Sequence, residues 1–172
     1  PEVQALIGAF RRYVERESLY RAVADSASDA IITVSRDGIV TSWNPAAERI
    51  FGYSAGEIIG RPALELAPPE MRKDYQALAR KVEREGDAAN AEMTLITKDG
   101  RRFQAHRSIS LIRSPEGEPI GRASIVRDIT AQRRADQLFE AAVESAPAAV
   151  ILVNADGEIV LANHETRAMF GY

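Results

Sequence analysis

Cysteine is absent from this chain of 172 residues, and with it go disulfides, thiolate nucleophiles and thiolate metal sites. Histidine is scarce: His106 and His164 are too few to build an imidazole-rich metal cluster. No apolar run is long enough to span a membrane, and the opening stretch PEVQALIGAFRRYVERESLYR carries charge too early and too often for a signal peptide. Neither sign of charge dominates, since 22 Lys and Arg against 25 Asp and Glu leave a net charge of −3. The basic footprint that nucleic acid demands is therefore missing. With 45% hydrophobic and 27% charged residues, the composition is that of a globular chain able to bury a core. These absences predict a cytoplasmic protein with no nucleic-acid partner, no direct membrane contact and no metal, although a membrane-anchored parent could carry such a piece.

A repeat organises what is present. Leu19 to Tyr53 aligns without gaps on Leu138 to Tyr172 at a constant offset of 119 positions, with 13 of 35 pairs identical. The matches fall at geometrically demanding places: Asp37-Gly38 with Asp156-Gly157, Asn44 with Asn163, and Phe51-Gly52-Tyr53 with Phe170-Gly171-Tyr172. A unit of roughly 120 residues is one ordinary domain.

The first segment spaces Val3, Ile7, Phe10 and Val14 by four, three and four, a helix with one narrow apolar stripe. Two heptads are too short to hold a coiled coil alone, so these four residues predict a dimer contact or the end of a longer connector. After Ser26 to Asp29, AIITVS and IVTSW read as strands joined by a tight turn at Asp37-Gly38. Asn44 and Pro45 have the cap and first-turn chemistry of a short helix that Gly52 ends, and Ser54 with Glu57 has capping-box spacing for the next. Met71, Tyr75, Leu78 and Val82 mark one face of a longer helix ending near Gly86. The period then changes to that of strands in AEMTLIT, RRFQAHRSISLIR and PIGRASIVRD. Five strands with helices gathered in the middle predict an α+β domain, an antiparallel sheet with helices on one face.

Three ordered motifs resemble those of the PAS domain family with its C-terminal PAC portion: the DG-I to E-x-I-G run of residues 37 to 60, KDG-x-x-F at 98 to 103, and RDIT at 127 to 130. The resemblance covers about residues 19 to 134, and residues 138 to 172 are similar to the opening of a second PAS domain. It implies a PAS fold, a five-stranded antiparallel sheet cupping a small cavity, flanked by connector helices. The implied division is a connector at 1–24, a PAS domain at 25–129, a linker helix at 130–145 and the beginning of a second PAS domain at 146–172.

The family's cofactor classes can be tested against these residues. Where flavin-binding members carry a reactive cysteine, this chain has Ala63, so a covalent flavin adduct is excluded. Where haem-binding members carry a ligating histidine, it has Tyr75, which the apolar stripe marks as a core aromatic, so haem is not expected and the ligand is unknown. The family's pocket wall corresponds to Tyr75, Leu78, Phe103, Arg107 and Ile109, while Asp128 and Thr130 match its strand-exit signature and would transmit signal. His106 has the opposite phase and points away. Arg107 is the anomaly on that wall. Either its stem packs while its head reaches the sheet edge or an acid such as Glu92, or it binds an anion inside the cavity, or the strand register is different.

Three functions stay open. One is a non-enzymatic sensory and dimerisation module of a signal-transduction protein, such as a sensor histidine kinase or a cyclic-dinucleotide enzyme, whose effector domain lies outside these residues. The others are a ligand-free structural spacer and a small α+β enzyme.

Overall fold

The computed structural model describes residues 18, 21–86 and 88–171. The dimerisation stripe of Val3, Ile7, Phe10 and Val14 lies outside the described residues. The chain divides into two compact units, Pro1–Ile129 and Thr130–Tyr172.

In the first unit, residues 21–26 are helical and are followed by β1 (Ala30–Ser35) and β2 (Val40–Trp43). Two short helices come next, α1 (Pro45–Phe51) and α2 (Ala55–Ile58), then two 3₁₀ turns at Ala63–Leu66 and Pro69–Met71. The longer helix α3 (Arg72–Glu85) leads into β3 (Ala89–Ile96), β4 (Arg102–Arg113) and β5 (Pro119–Asp128). The five strands form one antiparallel sheet in the order β2-β1-β5-β4-β3. The last strand thus inserts beside the first, closing the sheet through pairings distant in sequence.

Alternation decides which residues face inward. Ala30, Ile32 and Val34 of β1 are buried, as are Phe103, Ala105, Arg107 and Ile109 of β4, while Gln104 and His106 between them are exposed. Phe51 at the end of α1 centres the core, its ring 5.3 Å from Trp43 and 5.4 Å from Phe103, the latter edge-on. Trp43 is core, with its indole N–H donating to the Tyr53 carbonyl at 3.0 Å. A smaller cluster joins Ala79 and Val82 of α3 to Ala89 and Ile109 of the sheet.

Local chemistry explains the connections. The Asn44 side chain caps α1 by accepting from the Ala47 N–H, Pro45 occupies the first turn, and Gly52 ends the helix at φ +78°. Ser54 and Glu57 form the expected capping box. At the β1–β2 turn the sole positive φ belongs to Gly38, at +82°, because the turn has three residues rather than two and Asp37 keeps an ordinary conformation. Gly121 answers a different need: a Cβ there would lie 2.4 Å from the Val34 carbonyl oxygen, so only glycine lets β5 approach β1.

The second unit contains α4 (Thr130–Glu144), the hairpin β6 (Ile151–Val153) and β7 (Ile159–Ala162), and α5 (His164–Phe170). Thr130 is itself the first helical residue, so the helix begins with it rather than after it. The repeat is structural in detail. Ile32 pairs with Trp43 and Val34 with Val40, and 119 residues later Ile151 pairs with Ala162 and Val153 with Ile159, with the same register shift inside each first strand.

Candidate functional site

Arg107 lies on the concave face of the sheet with Ala91 of β3 and Val126 of β5 as its cross-strand neighbours. Glu92, one acid considered from the sequence, stands opposite His106 on the outer phase. Neither does the Arg107 head reach the sheet edge, for the residue is only 3% exposed. Its guanidinium instead turns toward β5, where Nε and Nη2 donate to the Ser124 Oγ at 3.3 and 3.1 Å. The Tyr75 ring, carried on α3, covers it with 4.0 Å between guanidinium carbon and ring centroid. Nη1 is buried without a hydrogen-bond partner. A hydroxyl and a ring face are thus the identified partners of this cation, and neither supplies a compensating charge.

A second guanidinium shares the face. Arg122 has the same inward phase as Ser124 on β5 and pairs across to Val34 and Leu111. Its Nη1 donates to the carboxylate of Glu83 near the end of α3, while its Nε is buried and unpartnered. Burial pushes the Arg122 guanidinium below its usual range, and the nearby Tyr75 phenol acts in the opposite sense. Tyr75 therefore contacts Arg107 through its ring and influences Arg122 only through its charge.

Two clefts adjoin this pair. One, of about 410 Å³, runs between α3 and β3 and is lined by Met71, Tyr75, Leu78 and Met93 among others. The other, of about 320 Å³, is bounded by Arg36, Asp37, Glu83, Leu111, Gly121 and Arg122. Of the predicted pocket residues, Tyr75 and Leu78 line the first cleft. Phe103 does not, being packed edge-on against Phe51, and Ile109 is taken up by the smaller core cluster. Arg107 lies behind Tyr75 and on neither cleft wall.

Ser124 and Arg122 were not foreseen. The run PIGRASIVRD hides them, because Arg122 and Ser124 face inward while Ile125 and Ile120 are exposed, the reverse of what polarity suggests. The one signal was phase: both lie an even number of residues from Val126, which is buried. Asp128, at the end of β5, lies 3.8 Å from Arg101 and so fixes the strand exit to the β3–β4 turn.

At the surface, Glu57 of α2 binds Lys98 of the β3–β4 turn as well as the Ser54 N–H and hydroxyl. Chiefly the Lys98 contact, then the Ser54 bonds, hold its carboxyl down at about 2. Among the described residues no cluster of three or more His, Asp or Glu is placed to hold a metal, and no helix is long and apolar enough to cross a membrane.

Comparison with known proteins agrees with this architecture. The sensor histidine kinase TmoS of Ectopseudomonas mendocina is 28% identical over 122 residues, 70% of this chain and 12% of that protein. The oxygen sensor protein DosP of Escherichia coli is 29% identical over 169 residues, 87% of this chain and 21% of that protein. The chain thus spans about a fifth or less of the length of these relatives. Among solved structures, a PAS domain from Colwellia psychrerythraea superposes with a TM-score of 0.63 at 26% identity, covering 66% of this chain and 97% of that one. The profile of the PAS fold matches residues 18–129 and again 137–172. With the five-stranded sheet and the duplicated hairpin, these matches establish that the chain belongs to the PAS family of sensory domains.

Proposed function

We propose that this chain is the input module of a cytoplasmic signal-transduction protein of the sensor histidine kinase type, itself without catalytic activity. Residues 25–129 receive a small molecule, and the helices on either side carry the response to an effector domain elsewhere in the parent. The observation that supports this reading most is Arg107: an arginine on the concave face, almost wholly buried, with Nη1 unpartnered. Leaving a buried cation short of partners is costly, and an anionic group delivered by a ligand would relieve the cost. In this reading Tyr75 and Leu78 line the route in, Phe103 and Ile109 back the site, and Asp128 and Thr130 form the exit to α4.

The cofactor is a separate question. DosP is an oxygen sensor by name. Here the Tyr75 ring, at the position of the haem-ligating histidine, is stacked on the Arg107 guanidinium and the chain has no cysteine, so neither a histidine-ligated haem nor a cysteinyl flavin suits these residues. The N-terminal stripe of Val3, Ile7, Phe10 and Val14 would pair two copies into a homodimer.

A ligand-free spacer is the second reading, and the observation in its favour is that the Tyr75 ring already covers Arg107. Native mass spectrometry of the gently purified chain, with an absorbance spectrum, separates the two. A retained small molecule that disappears in Arg107→Met supports the sensory reading. Protein that stays empty, and that binds nothing from a panel of cellular metabolites, supports the spacer.

A further inference from the structure

Arg107 keeps an open edge as well as an open atom. Ser124 accepts from Nε and Nη2, which lie along one side of the planar guanidinium. The other side, Nη1 with the second N–H of Nη2, has no partner among the described residues, and two parallel N–H groups of this kind fit both oxygens of a carboxylate. A cleft lies one side chain away. Two neighbours of Arg107, the Tyr75 ring stacked on it and Ala91 paired opposite it on β3, also line the cleft of about 410 Å³ between α3 and β3. Ala91 offers only a methyl group, which leaves the Tyr75 ring as the main screen between cleft and cation. The cleft is apolar where Met71, Leu78 and Met93 meet, and its charges, on Asp74, Lys81 and Glu92, belong to exposed residues at the rim. That is the size and lining of a small-molecule site, and two methionine walls let it adapt to shape. No hydrogen bond holds the Tyr75 hydroxyl among the described residues, and an aromatic on a helix has a second rotamer to turn to.

We propose, resting on the sensory reading above, that the ligand is a monocarboxylic acid with an apolar body. The body fills the cleft against Met71, Leu78 and Met93, and the carboxylate takes the open edge of Arg107 once the Tyr75 ring turns aside. Both halves are needed. A short acid gains the charged bonds but buries little apolar surface, while an apolar neutral molecule fills the cleft and leaves the cation as it was. At the rim two acids stand against one lysine, which disfavours a second carboxylate at the outer end of the ligand. Tyr75 belongs both to α3 and to the main core cluster, so turning its ring passes the arrival of the ligand to the longest helix of the first unit's core.

The test is calorimetric titration of the full chain with octanoate, octanamide, acetate and suberate. Octanoate is expected to bind about ten-fold or more tightly than octanamide, which keeps the body and loses the charge, and than acetate, which does the reverse. Suberate, with a second carboxylate at the far end, should bind more weakly than octanoate. Arg107→Met should bring octanoate down to the octanamide level, and Arg107→Lys, which keeps the charge without the fork, should fall between. Leu78→Asp, at a half-buried wall of the cleft, should weaken octanoate and octanamide together. Octanoate that binds no better than octanamide, suberate that matches octanoate, an Arg107→Met or Leu78→Asp variant that binds octanoate undiminished, or no binding of any of the four would overturn the inference. If it falls while native mass spectrometry still finds a retained neutral molecule, the sensory reading survives and the acid does not. If both come back empty, the sensory reading falls with it.

Discussion

Replacing Arg107 by methionine should make the domain more stable, which is the opposite of what deleting a fully buried residue usually does. Withdrawing a guanidinium from water costs several kcal/mol even after the protein relaxes. Against this, Arg107 recovers about 1.5 kcal/mol from the shared hydrogen bond to Ser124, whose two legs at 3.3 and 3.1 Å are both long and count as one. Its stacking on Tyr75 at 4.0 Å returns about 2 kcal/mol more. The unpartnered Nη1 returns nothing. A net penalty of about 1 to 2 kcal/mol is left, and methionine fills much of the same volume with no charge to desolvate. Urea unfolding followed by circular dichroism should show the midpoint rising by the corresponding amount, and the melting temperature climbing by roughly 4 °C or more. Arg107→Met that loses 1 kcal/mol or more would refute the reasoning, since it would make the guanidinium a structural bond rather than a charge held in reserve.

Three further outcomes are expected. Ser124→Ala removes the hydrogen bonds of the Arg107 guanidinium and should destabilise by about 1.5 to 3 kcal/mol, with no such loss when Arg107 is already methionine; a double-mutant unfolding cycle checks this. Asn44→Ala strips four buried or half-buried bonds, to Ile31, Ala24, Asp29 and, as the helix cap, Ala47, and should cost about 3 kcal/mol by the same method. For Glu57, whose folded carboxyl is held at about 2, the stabilisation is fully present above the unfolded value of about 4.3 and is lost as pH falls through 2. Glu57→Gln should therefore melt lower than the parent at pH 7 and coincide with it near pH 2, by a modest margin that shrinks further in high salt because the group is at the surface.

The sheet and its helices were legible because local and global signals agree in this chain. Asn44 and Pro45 start a helix, Gly52 stops it, and inward positions such as Ile32, Val34 and Phe103 are apolar as alternation requires. The site was only half legible, and for one physical reason. It consists of polar residues standing where apolar ones are expected, so hydrophobic patterning registers it as noise. Arg107 betrayed itself because its neighbours Ala105 and Ile109 set the phase unambiguously, whereas Arg122 and Ser124 sit in a strand where Ile125, of the opposite phase, points the pattern the wrong way and is exposed. Phe103 and Ile109 share the phase of Arg107 but not its surroundings, because alternation assigns a face and says nothing about which cluster on that face a side chain joins.

The asparagine that caps α1 has a twin in the second unit. Asn163 accepts from the Val150 and Thr166 N–H groups and donates to the carbonyls of Val143, Ala146 and Ala148, so it grips the hairpin, the start of α5 and the last turn of α4 together. Four of those partners lie 119 positions beyond the partners of Asn44. Its consequence is angular. α4 starts at Thr130, directly after the last residue of the first unit, and its 15 residues end in the grip of Asn163. Each residue added within such a helix turns everything beyond it by about 100° and advances it by about 1.5 Å. One extra residue in the exposed middle of α4 would present the Asn163 hairpin on a different side of the helix, and seven would restore it to within about 20°. The side of α4 on which the hairpin sits is thus counted in residues, and the asparagine is the tooth on which that count catches.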